Sequence, residues 1–133
     1  MFGISNEKGF ATLEVILMIT VLGILAAVAV PRFTAITTSA NTAKVQSDLA
    51  ALNAAVAVYQ MEKNTTPNDY DSLKDYLENG LPKAPSGKVY INGTITPIAT
   101  TDKYGLDTSG KATFGGKTAD KFTSTPTTTT PGN

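Results

Sequence analysis

The stretch that most limits what this chain can become is the apolar run from Phe10 to Val30, broken by a single charge at Glu14. Its 21 residues are enough for one helix to cross a hydrocarbon core. An acidic side chain inside such a helix costs roughly 2.5–3.5 kcal/mol on insertion scales, so Glu14 calls for a partner. Lys8 precedes the run and Arg32 follows it, and this balance of cations leaves the orientation open. A secretory signal has a shorter apolar core, about 7–15 residues, before small residues at its cleavage site. Ala26, Ala27 and Ala29 imitate that site, so a cleaved signal stands as the alternative to an anchor.

Composition narrows the chemistry. The chain has no Cys and no His, which removes disulfides, thiolate nucleophiles, Ser–His and Cys–His catalysis and the usual zinc sites. Its formal net charge is zero, so no global field draws in nucleic acid or anionic lipid. Lys83, Lys88, Lys103, Lys111, Lys117 and Lys121 outnumber the nearby aspartates, yet aromatics are not interleaved densely enough to signal a single-strand nucleic-acid surface. No phosphate-cradling loop is present, since Gly115-Gly116 opens no helix. Neither Asp69 with Asp71 nor Asp75 with Glu78 has a pocket to tune a carboxylate. No cofactor and no catalytic residue are expected, and the chain reads as a non-enzyme.

Past Arg32, weak helix formers lead into a clear pattern. Val45, Leu49, Leu52, Val56 and Tyr59 recur at steps of three and four, which predicts one apolar face on a helix reaching about Met61. A helix from Phe10 to there would run on the order of 75–80 Å. Asn64-Thr65-Thr66-Pro67-Asn68 ends it. Asp69 to Asn79 predicts a short helix capped by Asn68 or Asp69 and closed by Gly80, with Leu73, Tyr76 and Leu77 inward. Leu81 to Gly87 is an extended connector. Lys88 to Asn92 and Thr94 to Ile98 alternate around Asn92-Gly93, a strong hairpin signal, and Pro97 puts the second strand at an edge. Lys103 to Thr108 and Lys111 to Phe114 form a second pair around Ser109-Gly110. The expected fold is α+β: a long N-terminal helix packed on a small antiparallel sheet of three or four strands.

The N-terminus carries a specific resemblance. Lys8-Gly9-Phe10-Ala11-Thr12-Leu13-Glu14, continuing to Gly23-Ile24-Leu25-Ala26-Ala27-Val28-Ala29-Val30-Pro31, resembles the signature of type IV pilins and related pseudopilins over about 25 residues. Glu7 offsets Lys8 where family leaders are often more basic. The resemblance implies cleavage between Gly9 and Phe10 on the cytoplasmic side by a prepilin peptidase, with N-methylation of Phe10. It implies that Glu14 pairs with the Phe10 amine of a neighbouring subunit and sets axial register. Pairing with the chain's own Phe10 amine is the alternative. Pro31 must kink a helix that runs through it, because it cannot donate to the Ala27 carbonyl and clashes there. Gly23 weakens the helix, and the family reading lets the segment between Gly23 and Pro31 bend or unwind on assembly.

The organisation that follows is a leader (1–9), a membrane and assembly half-helix (10–31), an amphipathic half (32–62), a globular α+β head (63–122) and a flexible Thr/Pro-rich tail (123–133). The implied partners are further copies in a helical filament, the prepilin peptidase, the pilus assembly machinery with its ATPase, and the inner membrane before assembly. After assembly the protein would lie at the cell surface. Some pseudopilins bind calcium in sheet loops, which makes Asp102, Asp107 and Asp120 weak metal candidates; the intervening lysines favour solvated turn residues. The rivals are a pseudopilin of a type II secretion or DNA-uptake system and, more remotely, a single-pass anchored binding module.

Overall fold

The computed structural model describes residues 4–125, without the side chains of residues 4–7, 30 and 31. Most of the expected tail, residues 126–133, and the first residues of the expected leader lie outside that range. The chain divides into two units, one ending at Ile36 and one beginning at Thr37.

Helix α1 spans Ile4–Lys63. In the first unit its large apolar side chains face outward, from 48% exposed at Val21 to 70% at Phe10. This segment is long and apolar enough to cross a membrane, and none of its apolar window is buried. Two hydroxyls in it are satisfied locally. Thr12 Oγ1 donates to the Lys8 carbonyl at 2.9 Å, and Thr20 Oγ1 to Ile16 at 2.7 Å. Such i−4 bonds let a polar side chain sit in an apolar helix without an orphaned donor.

In the second unit the expected stripe is the core. Val45, Leu49 and Leu52 have no exposed surface, Val56 is 6% exposed, and Tyr59 packs at the margin. Each fully buried side chain of this kind stabilises by roughly 1.5–3 kcal/mol. Helix α1 stops two residues beyond Met61, where Asn64 turns left-handed with φ 54° and its N–H donates to the Gln60 carbonyl. Asn tolerates that conformation because its short amide bonds locally.

The stretch after it is tighter than an α-helix. Asp71–Tyr76 is 3-10, not part of an α-helix from Asp69 to Asn79. Asp69 supplies the cap in side-chain terms, accepting the Ser72 N–H at 2.8 Å, while Leu73 N–H bonds back to Tyr70. Three residues per turn place Leu73 and Tyr76, three apart, on one side toward the core. Leu73 is completely buried, and the Tyr76 ring meets Tyr59 edge-on at 5.4 Å. Gly80 closes the segment with φ 71°.

Four strands follow: β1 (Lys88–Ile91), β2 (Thr94–Pro97), β3 (Tyr104–Leu106) and β4 (Ala112–Phe114). They form two separate antiparallel pairs, β1–β2 and β3–β4, rather than one sheet of three or four strands. Pro97 ends β2 and offers no N–H for a further ladder. Asp102 then folds the link on itself, its carboxylate accepting the Ala99 N–H at 2.9 Å while its own N–H bonds the Ala99 carbonyl. Tyr104, Phe114 and Phe122 complete the core, with ring centroids 4.8 and 6.0 Å apart.

Candidate assembly segment and head sites

Gly9, Phe10 and Glu14 lie on one uninterrupted stretch of α1. Four residues of helix rise about 6 Å, so Phe10 and Glu14 occupy neighbouring turns of one face. Glu14 is exposed, and among the described residues it has no hydrogen-bond or ion-pair partner. Among the described residues nothing compensates its carboxylate on this apolar surface, and an uncompensated carboxylate is costly in lipid. Neither Gly9 nor Gly23 is required by packing: a Cβ at either would meet no atom within 4 Å. Glycine still weakens a helix by about 1 kcal/mol relative to alanine, so its presence at both positions is unexplained by the isolated fold. The backbone of α1 stays helical through Pro31.

The three candidate aspartates are each engaged within their own turn and do not converge. Asp102 holds Ala99, as above. Asp107 Oδ1 accepts the Ser109 hydroxyl at 2.6 Å and the Ser109 and Lys111 N–H groups at 2.9 Å. Those bonds, the Ser109 hydroxyl first, hold its carboxyl below the usual carboxylate range. Asp120 accepts the Thr118 hydroxyl, which lowers it likewise, and Lys121 approaches within 3.4 Å. Among the described residues, no group of three or more acidic side chains is placed to hold a metal ion.

The residues that sequence reasoning missed are polar side chains along α1 that bond the backbone of the head. Asn41 Nδ2 donates to the Ser86 and Lys88 carbonyls at 2.8 and 3.1 Å. Thr42 Oγ1 accepts the Tyr90 N–H at 2.9 Å and donates to Thr38. Gln46 Nε2 donates to the Phe122 carbonyl. Asn53 Oδ1 accepts the Ala112 N–H at 2.9 Å. Each satisfies a backbone group of the connector before β1, of β1 or β4, or of Phe122 that a bare apolar helix would leave unpaired. A signal was present: Asn41, Thr42 and Asn53 are poor helix formers beside an apolar stripe, at positions where alanine would otherwise be favoured.

The chain is 33% identical over 100 residues to a type II secretion system core protein G of Aeromonas hydrophila, covering 75% of this chain and 69% of that protein. It is 32% identical over 110 residues to a type IV narrow pilus major component of Thermus thermophilus, covering 80% and 91% respectively. A fimbrial protein of Pseudomonas aeruginosa is 29% identical over 108 residues, covering 73% and 70%. No family model matches the chain, and no solved structure matches it. With two relatives above 30% identity that it covers by more than two thirds, this chain belongs to the family of type IV pilins and type II secretion pseudopilins.

Proposed function

We propose that the chain is a structural subunit of a type IV pilus-like filament, made as an inner-membrane precursor and polymerised through its N-terminal helix. The observation that carries this is an apolar helix with its side chains outward and a carboxylate, Glu14, that has no side-chain partner among the described residues, in a chain of this family. A prepilin peptidase cleaves between Gly9 and Phe10, and the new amine, methylated at Phe10, is the cation that Glu14 of a neighbouring copy meets. A slipped copy would leave a carboxylate unpaired in a low-dielectric bundle, which makes the pair a register device. Gly23 and Pro31 give the segment between them the freedom to adjust as copies pack. The filament is assembled by pilus machinery with an external ATPase, and the heads cover its surface. The protein's role is structural, not catalytic.

The test is Glu14→Ala. It should leave a folded, membrane-inserted monomer that assembles poorly, and normal filaments from this variant would contradict the pairing. A second reading, a pseudopilin of type II secretion, is favoured by relatives from Aeromonas hydrophila and Klebsiella pneumoniae, both named type II secretion system core protein G. Deletion of the gene separates the two. Loss of surface pili with secretion intact supports the pilin, and the reverse supports the pseudopilin.

A further inference from the structure

Asn92-Gly93 forms the two-residue loop between the paired residues Ile91 and Thr94, with φ 48° and 80°. Positive φ at both positions is the type I′ turn that suits the twist of a hairpin. Asn-Gly is also the dipeptide most open to spontaneous deamidation, because glycine places no side chain in the way of its own nitrogen. In that reaction the Gly93 nitrogen attacks Asn92 Cγ and forms a C–N bond. The Cγ–Nδ2 bond breaks, ammonia leaves with the proton from the Gly93 N–H, and water reopens the succinimide to aspartate or isoaspartate.

Three features oppose this step. The Gly93 N–H donates to the Thr123 carbonyl at 2.8 Å, and the Asn92 N–H donates to the Lys121 carbonyl at 2.8 Å. Both acceptors belong to one short segment, Lys121–Thr123, laid across the turn. That segment is itself anchored: the Phe122 side chain is 1% exposed in the core, and its carbonyl accepts Gln46 Nε2 from α1. Attack needs a free, deprotonatable Gly93 nitrogen and rotation of the Asn92 backbone toward its own side chain. The strap engages the first and the turn fixes the second.

We infer that Lys121–Thr123 is a strap that shields a latent deamidation site at Asn92-Gly93, and that release of the strap exposes it. The covalent change then records that the strap has opened. Aspartate-glycine still suits a type I′ turn, but isoaspartate lengthens the backbone by one carbon and misfits it, so that product also hinders the strap from re-seating.

The experiment follows Asn92 by peptide mass spectrometry in the full-length protein, held in detergent at mildly alkaline pH. The same chain in denaturant sets the unprotected rate. In the folded protein conversion should be slower by about tenfold or more, since reaction then requires local opening. Phe122→Ala, which removes the anchor, should move the rate toward the unprotected value. A chain ending at Phe122 loses residues 123–133, and with them the Thr123 carbonyl that accepts the Gly93 N–H, but keeps the core side chain, so it reads the strap even if Phe122→Ala unfolds. Equal rates in folded and denatured protein would overturn the inference. So would a folded chain ending at Phe122 in which Asn92 converts as slowly as in the intact protein.

Discussion

The Tyr104 hydroxyl donates to Asp48 Oδ2 at 2.6 Å, tying β3 to α1 across 56 positions of sequence. Lys44 lies 2.5 Å from the same oxygen, one helical turn away, so the carboxylate faces a cation on one side and a phenol on the other. Lys44 is half exposed and contributes little by itself. The Tyr104 bond is the more sheltered contact, and Tyr104→Phe should cost about 1–2 kcal/mol of stability at neutral pH, read by urea unfolding.

The same contact sets an alkaline limit. Burial, and then the bond to Asp48, raise the Tyr104 phenol, and burial pushes Tyr70 up to about 12. Unfolded phenols ionise near pH 10, so above about that pH the unfolded chain has released protons that the folded chain still holds. Stability is complete below that point and declines as pH rises through the folded values. The urea midpoint should fall more steeply above about pH 10 in the native protein than in Tyr104→Phe. Superimposable alkaline limbs would disconnect Tyr104 from the decline.

Asn53→Ala separates helix propensity from tertiary bonding. Propensity favours alanine by up to about 0.7 kcal/mol. Loss of Oδ1 strands the N–H of Ala112, a residue with no exposed surface, at about 1–3 kcal/mol. A net loss of stability is expected in urea unfolding, and a gain would show that the clamp to β4 is dispensable.

Two glycines with nearly the same φ test close packing against backbone strain. Gly110 has φ 80°, and a Cβ there would sit 2.3 Å from Thr66 Cγ2. Gly116 has φ 73° and open space around it. Alanine at either should cost about 1–2 kcal/mol for the left-handed backbone. Gly110→Ala should lose more, and the difference in melting temperature between the two variants measures how tightly the β3–β4 turn seats on the end of α1.

Much of this was legible in the sequence because it rests on period and local chemistry. The stripe from Val45 to Tyr59 is a helix period, and Asn92-Gly93 is a turn that only a few residue types can make. The roles proposed for Gly9, Phe10 and Glu14 come from the resemblance of that stretch to pilin signatures; the lone charge in an apolar run says only that Glu14 calls for a partner. The separation into two hairpins was harder to read. It depends on Pro97 ending β2 and on the local turn in which Asp102 bonds Ala99, neither of which alternation encodes. The strap was hidden as well: Lys121 and Thr123 act through backbone carbonyls, which carry no side-chain signature.

We propose that cleavage turns the N-terminal helix into an assembly element by creating the amine that Glu14 needs. The proposed cleavage would also remove Lys8, whose carbonyl Thr12 bonds in the intact chain, so the first turn of the helix would be rebuilt around the new terminus. Intact-mass and N-terminal peptide analysis of the mature protein reads this directly. The account predicts a chain beginning at N-methylated Phe10. A mature chain beginning at Met1, or after Ala29, would contradict it.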